Sequence, residues 1–145
     1  MRITLSVDGM ESMEIGYSDL ATIVSCFNDD SSHAGLFASL YVHPASEVRS
    51  AVAIMTSMPI DTLVHLANDS SIEVVRQVAN NNHALKWFTV PLIQEMIKRD
   101  VSVAGDIAEN LAWVGENARE EIISTLLQNS DPKVVEAAQS FIGIQ

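Results

Sequence analysis

The sequence predicts a mostly α-helical protein, a short solenoid of stacked antiparallel helix pairs with an N-terminal β-hairpin cap. Two observations predict the solenoid. Residues 36–53 can be set over residues 62–79 at a constant offset of 26, so that Phe37 meets Leu63. The apolar residues of these segments follow helical spacing. Helix pairs that repeat at this period, and that cannot each bury an apolar face alone, are typical of a stacked solenoid.

Residues 1–17 read differently from the rest of the chain and predict a β-hairpin. Two sets of apolar residues alternate with polar ones: Ile3, Leu5 and Val7, then Met13, Ile15 and Tyr17. Asp8-Gly9 between them is a turn signal, and placing both sets on one face favours a loop of about three residues. A two-stranded ribbon is marginal by itself, so we expect its apolar face to cover one open end of the helices.

A first helix is predicted within residues 18–30, with Ser18 or Asp19 as its N-cap. Its buried stripe is expected to consist of Leu20, Ile23, Val24 and Phe27. Cys26, beside this stripe, is expected to be a small buried or half-buried apolar residue. As the only cysteine, it excludes an intramolecular disulfide and a cysteine-rich metal site.

From residue 33 to residue 143 the pattern predicts about four helix pairs within one domain that spans residues 1–145. Each pair has an A helix with leucine-type anchors, a short polar turn, and a B helix lined by valine and alanine. The third copy follows the second by 29 residues, and a weaker fourth copy follows by a further 31. The shared B-helix positions are Val48, Val52 and Ala53; Val74, Val78 and Ala79; Val103, Ile107 and Ala108; and Val134 and Ala138.

Three stretches of these B helices carry a family resemblance: VRSAVA, VVRQVANNN and DPKVVEAA. They resemble the HEAT-like superfamily, especially its leucine-rich repeat variant, whose second helices carry Val-Arg and Val-Ala-x-Asn. The chain departs from this pattern at Ala104-Gly105 and Val135-Glu136, and the interval 80–91 is expanded. The resemblance implies a curved protein-binding scaffold whose B helices line the concave face. It implies no catalytic residue.

The charge of the chain is strongly acidic, with 19 acidic and 8 basic side chains and a formal net charge of −11. This excess repels phosphate backbones, so we expect no direct nucleic-acid binding. Acidic side chains concentrate in residues 1–48 and again in residues 101–131, where Asp106 and Glu109 lie. The acidity either serves solubility alone or addresses a basic protein partner.

No motif for catalysis, cofactor binding or metal binding stands out, so we expect no enzyme and no cofactor. The four histidines, His33, His43, His65 and His83, are spaced by 10, 22 and 18 residues, which places no two of them on one helical turn. His43 and His83 are expected as solvated turn residues and His65 on an exposed helix face. The absence of a long apolar run and of a secretory signal predicts a cytoplasmic protein without a membrane span.

Six residues are candidates for binding a partner: Arg49, Arg76, Trp87, Phe88, Asp106 and Glu109. Arg49 and Arg76 stand on successive B helices. They either contact a partner or have a structural role, reaching an acidic residue of an adjacent turn such as Asp69 or Glu73.

The aromatic candidates allow two interpretations. Trp87 and Phe88 lie in the expanded interval and either form an exposed binding anchor or fill the gap between helices. Trp113, near the end of the third B helix, is expected in the core.

Small size, the repeat scaffold, the acidity and the missing chemistry together predict a protein-binding scaffold. We expect an inhibitor or immunity-type antagonist of a basic protein. Two alternatives stay open at this point: a HEAT-like enzyme that processes nucleic acid, and a homo-oligomeric structural subunit.

Overall fold

The computed structural model describes residues 4–144, with the backbone alone at positions 5, 7, 11–13 and 144. The described part is mostly helical. Its elements are β1 (Thr4–Val7), β2 (Met10–Glu14), α1 (Tyr17–Ser25), α2 (Ala34–Leu40), α3 (Ser46–Ala53), α4 (Ile60–Ala67), α5 (Ile72–Ala79), α6 (Asn82–Trp87), α7 (Val90–Arg99), α8 (Val101–Glu109), a 3₁₀ turn (Leu111–Trp113), α9 (Glu116–Leu127) and α10 (Pro132–Ile144). None of these helices is both long and apolar enough to cross a membrane.

The strands β1 and β2 pair in antiparallel fashion around a two-residue turn. Asp8 and Gly9 both have positive φ, 51° and 79°, as a type I′ connection requires. The predicted three-residue loop is therefore wrong. An irregularity between Leu5 and Ser6 shifts the register, which places Leu5 opposite Met13 without the longer loop.

The predicted packing of the hairpin on the helices depends on residues that lie outside the description. Ile3 is outside the described range, and no side chain is described at positions 5, 7 and 13. The described strand side chains, those of Thr4, Ser6, Met10 and Glu14, are all exposed. Only Ile15, after β2, packs against the core. The described residues therefore do not support a cap over the helices.

The helices after α1 form four consecutive pairs: α2 with α3, α4 with α5, α7 with α8, and α9 with α10. The second helices of the pairs pack side by side in a row, in the order α3, α5, α8, α10, and α1 precedes them by packing on α3. The first helices α4, α7 and α9 form a row of their own, the first-helix row. The first predicted helix is therefore the beginning of the second-helix row, not a separate element.

The core lies between the two rows and consists of the residues that repeat in the sequence. All eleven predicted B-helix positions are buried, with exposed fractions of 3% or less. The first-helix anchors Phe37, Leu40, Leu63 and Leu66 are fully buried as well. The prediction that these positions face the core is confirmed. Valine and alanine dominate the row because small side chains let neighbouring helices approach closely.

The start of the chain departs from the predicted stripe. Leu20 and Val24 are buried, but α1 ends at Ser25, so Cys26 and Phe27 leave the helical face that would have buried them. Both are exposed. The expectation of a buried Cys26 is wrong for this reason.

The turns between paired helices share a side-chain cap. Asp69, Asp100 and Asp131 follow each other at intervals of 31, and each carboxylate accepts a hydrogen bond at 2.8 Å from the backbone N–H two residues later. In the first pair His43 takes this place, with Nδ1 accepting the N–H of Ala45 at 3.1 Å. His43 is 3% exposed. Its expected solvation is therefore wrong, because the imidazole serves as a turn cap.

The expanded interval folds as α6, and the buried side chain of Asn81 positions it. Its Oδ1 caps α6 by accepting the N–H groups of His83 and Ala84 at 3.0 and 3.1 Å. Its Nδ2 donates to the carbonyls of Ala53 and Met55 at 2.9 and 3.1 Å, at the end of α3. One amide thus joins the first helix pair to the insertion after the second.

Candidate partner-binding surfaces

Arg49 has a structural role. Its Nε and Nη2 donate to the two carboxylate oxygens of Asp69 at 2.7 and 2.9 Å. Its Nη1 donates to the carbonyls of His43 and Pro44 at 2.7 and 3.0 Å. The side chain is 14% exposed. Arg49 therefore ties the turn of the first helix pair to that of the second, and the structural interpretation with Asp69 as its partner is confirmed.

The carboxylate of Asp69 is held in its charged form. Burial opposes ionisation, but the hydrogen bonds from Arg49 and from the N–H of Ser71 outweigh it, so the pKa of Asp69 lies below its ordinary value. The same contacts with Asp69 raise the pKa of Arg49. The pair is ionised at neutral pH, and its charges cancel locally.

Arg76 also pairs within the chain, with a residue that the sequence suggested for another role. Its Nε and Nη2 donate to Asp106 of α8 at 2.8 and 3.3 Å, and Nη1 lies 3.6 Å from Glu73. Asp106, a candidate contact for a partner, is therefore neutralised by Arg76. The Arg76 side chain is still 39% exposed. A second bond runs parallel to this pair, from Asn110 Nδ2 to Asn80 Oδ1 at 2.9 Å.

Most other described basic side chains also form hydrogen bonds or ion pairs within the chain. Arg99 donates to the carbonyl of Asp69 at 2.6 Å, and Arg119 donates to the carbonyls of Ala112 and Val114 at 3.1 and 2.9 Å. Lys98 pairs with Glu95 at 2.8 Å. The remaining two are Lys86, whose ammonium group lies over an indole ring, and Lys133.

Many acidic side chains, unlike most of the basic ones, have no charged partner among the described residues. The carboxylate of Asp29 accepts hydrogen bonds from Thr56 and Ser57. Apart from it, nine exposed acidic residues form no ion pair among the described residues: Asp8, Asp19, Glu47, Asp61, Glu109, Glu116, Glu120, Glu121 and Glu136. The charge that a partner meets on the described surface is therefore predominantly negative.

The two aromatic residues of the expanded interval have different roles. Phe88 is 5% exposed and fills the space beside α6, whereas Trp87 is 62% exposed. The Lys86 ammonium lies 5.6 Å from the centroid of the Trp87 ring, a cation–π distance. The gap-filling interpretation is therefore correct for Phe88, and Trp87 is the exposed aromatic residue of the interval.

Trp113 is 53% exposed, so its expected place in the core is wrong. Helix α8 ends at Glu109, and a 3₁₀ turn follows. This turn directs Leu111 and Val114 into the core, at 0% and 1% exposure, and leaves Trp113 outside. The helical spacing from which the prediction was made does not continue through the turn.

A close backbone contact holds α9 against α6. The N–H of Gly115 donates to the carbonyl of Leu85 at 3.3 Å. A Cβ at position 115 would lie only 2.8 Å from the carbonyl oxygen of Lys86. Glycine is required here because no side chain fits between the two segments.

Two shallow grooves meet at the beginning of α9. Glu116 lines both of them. The first groove also contains Trp87 and Phe88, and the second contains Glu120, Ile123 and Ile142. Ile142 is 47% exposed. Glu116 thus connects the exposed indole to apolar residues at the C-terminal end of the helix rows.

The six candidate residues do not form one site. Arg49 lies in the first helix pair, Arg76 and Asp106 join α5 to α8, and Trp87 lies on α6. The exposed Glu109 lies in a separate shallow groove with Asp131 and Lys133. Among the described residues, no group of three or more His, Cys, Asp and Glu side chains is arranged to hold a metal ion.

No protein-family model, curated protein or solved structure matches the chain significantly.

Proposed function

We propose that this chain is a small HEAT-like α-solenoid that binds a basic protein and inhibits or antagonises it, in the manner of an immunity protein. One observation carries the proposal. The arginines of the described surface are engaged within the chain, while nine exposed carboxylates are not paired. Such a surface attracts a positively charged partner over long range and raises the rate of association.

The arrangement also suggests how binding could antagonise the partner. Exposed carboxylates on a rigid helical scaffold carry the same charge as phosphate groups. A scaffold of this kind occupies a basic surface that would otherwise contact nucleic acid. Antagonism then needs no catalytic group, only stable occupation of that surface.

The same charges disfavour the alternative of a nucleic-acid-processing enzyme. A groove that binds DNA needs free cations to replace the counterions of phosphate groups. Arg49 and Arg76, which would line such a groove, instead form ion pairs with Asp69 and Asp106.

Affinity capture from a lysate of the source cell tests the proposal. We expect one protein at a stoichiometric level at ~50 mM salt and a much weaker signal at ~500 mM, where charges are screened over a few ångströms. The captured protein should be basic, and a nucleic acid that binds it should displace the chain. A captured protein that is neutral or acidic and insensitive to salt contradicts the proposal. Titration with duplex DNA is the control, and tight binding at physiological salt would favour the enzyme instead.

A further inference from the structure

We propose that the turn between α2 and α3 is a pH-sensitive switch, in which protonation of His43 breaks the cap of α3 and loosens the first helix pair. The inference goes beyond the proposed function and does not depend on it. His43 is 3% exposed, and its Nδ1 accepts the N–H of Ala45 at 3.1 Å. An imidazole thus holds this turn, whereas carboxylates hold the turns of the other helix pairs.

The two kinds of cap respond differently to acid. His43 precedes Asp69 by 26 residues, the offset of the repeat, and both side chains accept the N–H two residues later. The pKa of Asp69 lies below its ordinary value because its hydrogen bonds outweigh its burial, and hydrogen bonds from Ser102 lower the pKa of Asp100. These carboxylates remain acceptors at about pH 5, whereas imidazole side chains titrate between about pH 5 and 8.

Only the neutral imidazole of His43 can cap the turn. In a neutral ring one nitrogen is a donor and the other an acceptor, and the bond from the N–H of Ala45 requires Nδ1 to be the acceptor. An imidazolium ion carries a proton on both nitrogens, so no rotation of the ring restores an acceptor. Protonation therefore places two N–H donors against each other and leaves the N–H of Ala45 without its hydrogen bond.

The charges around His43 do not compensate for a proton on the ring. Nη1 of Arg49 donates to the carbonyl of His43 at 2.7 Å, so a guanidinium ion already lies at this turn. The carboxylate of Asp69 binds this guanidinium ion through both oxygens and also accepts the N–H of Ser71. Asp69 is therefore already paired and is not free to bind an imidazolium ion as well.

The other titratable groups near the ring add no anion. Five titratable or charged side chains contact the ring or line the groove beside it: Tyr17 of α1, Tyr41 after α2, Arg49 of α3, His65 of α4 and Asp69 of the next turn. Tyr17 packs edge-on against the imidazole, with 5.8 Å between the ring centroids. Glu47 of α3 is exposed and lines a separate groove beside α1. An imidazolium ion at position 43 thus gains no unpaired carboxylate in this groove.

Loss of the cap affects one helix pair and spares the others. Helix α3 begins at Ser46, directly after Ala45, and packs on α1 and α5. Arg49 holds the same turn through the carbonyls of His43 and Pro44. The stability that the neutral cap contributes is present where imidazole is uncharged and is lost as the pH falls through its titration range. The first pair therefore loosens in acid, while the pairs with carboxylate caps keep their turns.

Amide hydrogen exchange of the isotope-labelled full-length chain, measured by NMR between about pH 7.5 and about pH 5, tests the switch. Protection factors are compared, because they remove the intrinsic pH dependence of exchange. Those of Ala45 and of Arg49, whose N–H donates to the carbonyl of Ala45, should fall by at least about fivefold as the His43 ring is protonated. Those of Ser71 and Ser102, at the carboxylate-capped turns, should change less than about twofold. The ring nitrogen shifts of His43 are recorded in the same samples and report its protonation.

Two variants separate His43 from its neighbours. His43→Asn keeps an acceptor that does not titrate, and the chain already uses such a cap at Asn129, whose Oδ1 accepts the N–H of Asp131 at 2.9 Å. The protection factor of Ala45 in this variant should change less than about twofold over the same pH range. His65→Gln removes the exposed imidazole of the same groove and is the matched control, which should keep the fivefold fall expected from the lost bond.

Two outcomes in the parent chain would overturn the switch, so the test does not depend on the folding of a variant. One is a His43 ring that is protonated in this range without a change at Ala45. The other is a ring that stays neutral at about pH 5. A fall of equal size in His43→Asn, or its loss in His65→Gln, would also overturn the switch, because another group would then carry the pH dependence.

Discussion

Replacing Asn81 by alanine should destabilise the whole helical stack, because one buried amide serves two separate parts of it. The side chain is 1% exposed and takes part in four hydrogen bonds. Two of them cap α6, and two reach the carbonyls of Ala53 and Met55. Loss of the amide therefore affects the insertion and the first helix pair together.

The expected loss of stability in Asn81→Ala depends on which of the hydrogen-bonded groups keep another partner. The carbonyl of Met55 still accepts the N–H of Met58 at 3.4 Å. The carbonyl of Ala53 loses its bond from Asn81, and a buried polar group without a partner costs about 1–3 kcal/mol. The loss of the N-cap adds about 1 kcal/mol. We expect Asn81→Ala to lower the free energy of unfolding by about 2–4 kcal/mol, a large part of the stability of a domain.

Asn81→Asp gives a second test with a distinct pH dependence. One carboxylate oxygen can still cap α6, but the other faces the carbonyls of Ala53 and Met55. We expect the folded-state pKa of this carboxyl to be raised above its unfolded value of about 3.9. The stability that its protonated form contributes is then fully present below about pH 3.9 and is lost as the pH rises through the folded-state pKa.

Urea unfolding followed by circular dichroism measures both variants. Asn68→Ala is the matched control, because its exposed side chain donates only to the carbonyl of Val64 at 2.9 Å. It should change the free energy of unfolding by less than about 0.5 kcal/mol. An Asn81→Ala variant as stable as Asn68→Ala, or an Asn81→Asp variant whose deficit does not grow with pH, would refute the role given to Asn81.

Three further substitutions test the turns and the contact between α6 and α9. Asp69→Asn should lower the stability at pH 7 by about 1–3 kcal/mol, because Arg49 loses its anionic partner. The lowered pKa of Asp69 contributes stability that is present above about pH 3.9 and is lost as the pH falls through the folded-state value, so this variant should lose less stability in acid than the parent chain. Gly115→Ala should destabilise by about 1–3 kcal/mol because its Cβ would meet the Lys86 carbonyl at 2.8 Å. Gly105→Ala, within α8 and with no atom within 4 Å of a Cβ, should stabilise the protein by about 0.5–1 kcal/mol. Thermal unfolding distinguishes the two glycines, and a shift of the melting temperature in the same direction for both would contradict the close contact at Gly115.

The repeated core was predictable because burial in a stack depends on spacing alone. Val74 and Ala79 of α5 have counterparts at offsets of 26 and 29 in α3 and α8, the helices on which α5 packs. The irregular parts were not predictable in the same way. The exposure of Trp113 depends on a change from α-helix to a 3₁₀ turn. This change alters the direction of the side chain, and the sequence carries no clear signal for it.

The candidate surface was predictable only in part. An exposed Trp87 was one of two interpretations, and the choice depended on whether its neighbour Phe88 took the buried place. The pairing of Arg76 with Asp106 joins residues 30 positions apart in sequence, which local patterns do not report. The side-chain caps of the turns could have been predicted, because Asp69, Asp100 and Asp131 follow each other at a regular spacing.

The single-file packing of the second helices also determines how the molecule opens. Each helix of the row α1, α3, α5, α8, α10 packs on its neighbours in the row, and in a stack such neighbour contacts supply much of the stability of each helix. The central α5 is held from both sides, whereas α1 and α10 have a row neighbour on one side in the described part. Amide hydrogens should therefore exchange with solvent most slowly in α5, and progressively faster toward both ends as terminal helices fray without global unfolding.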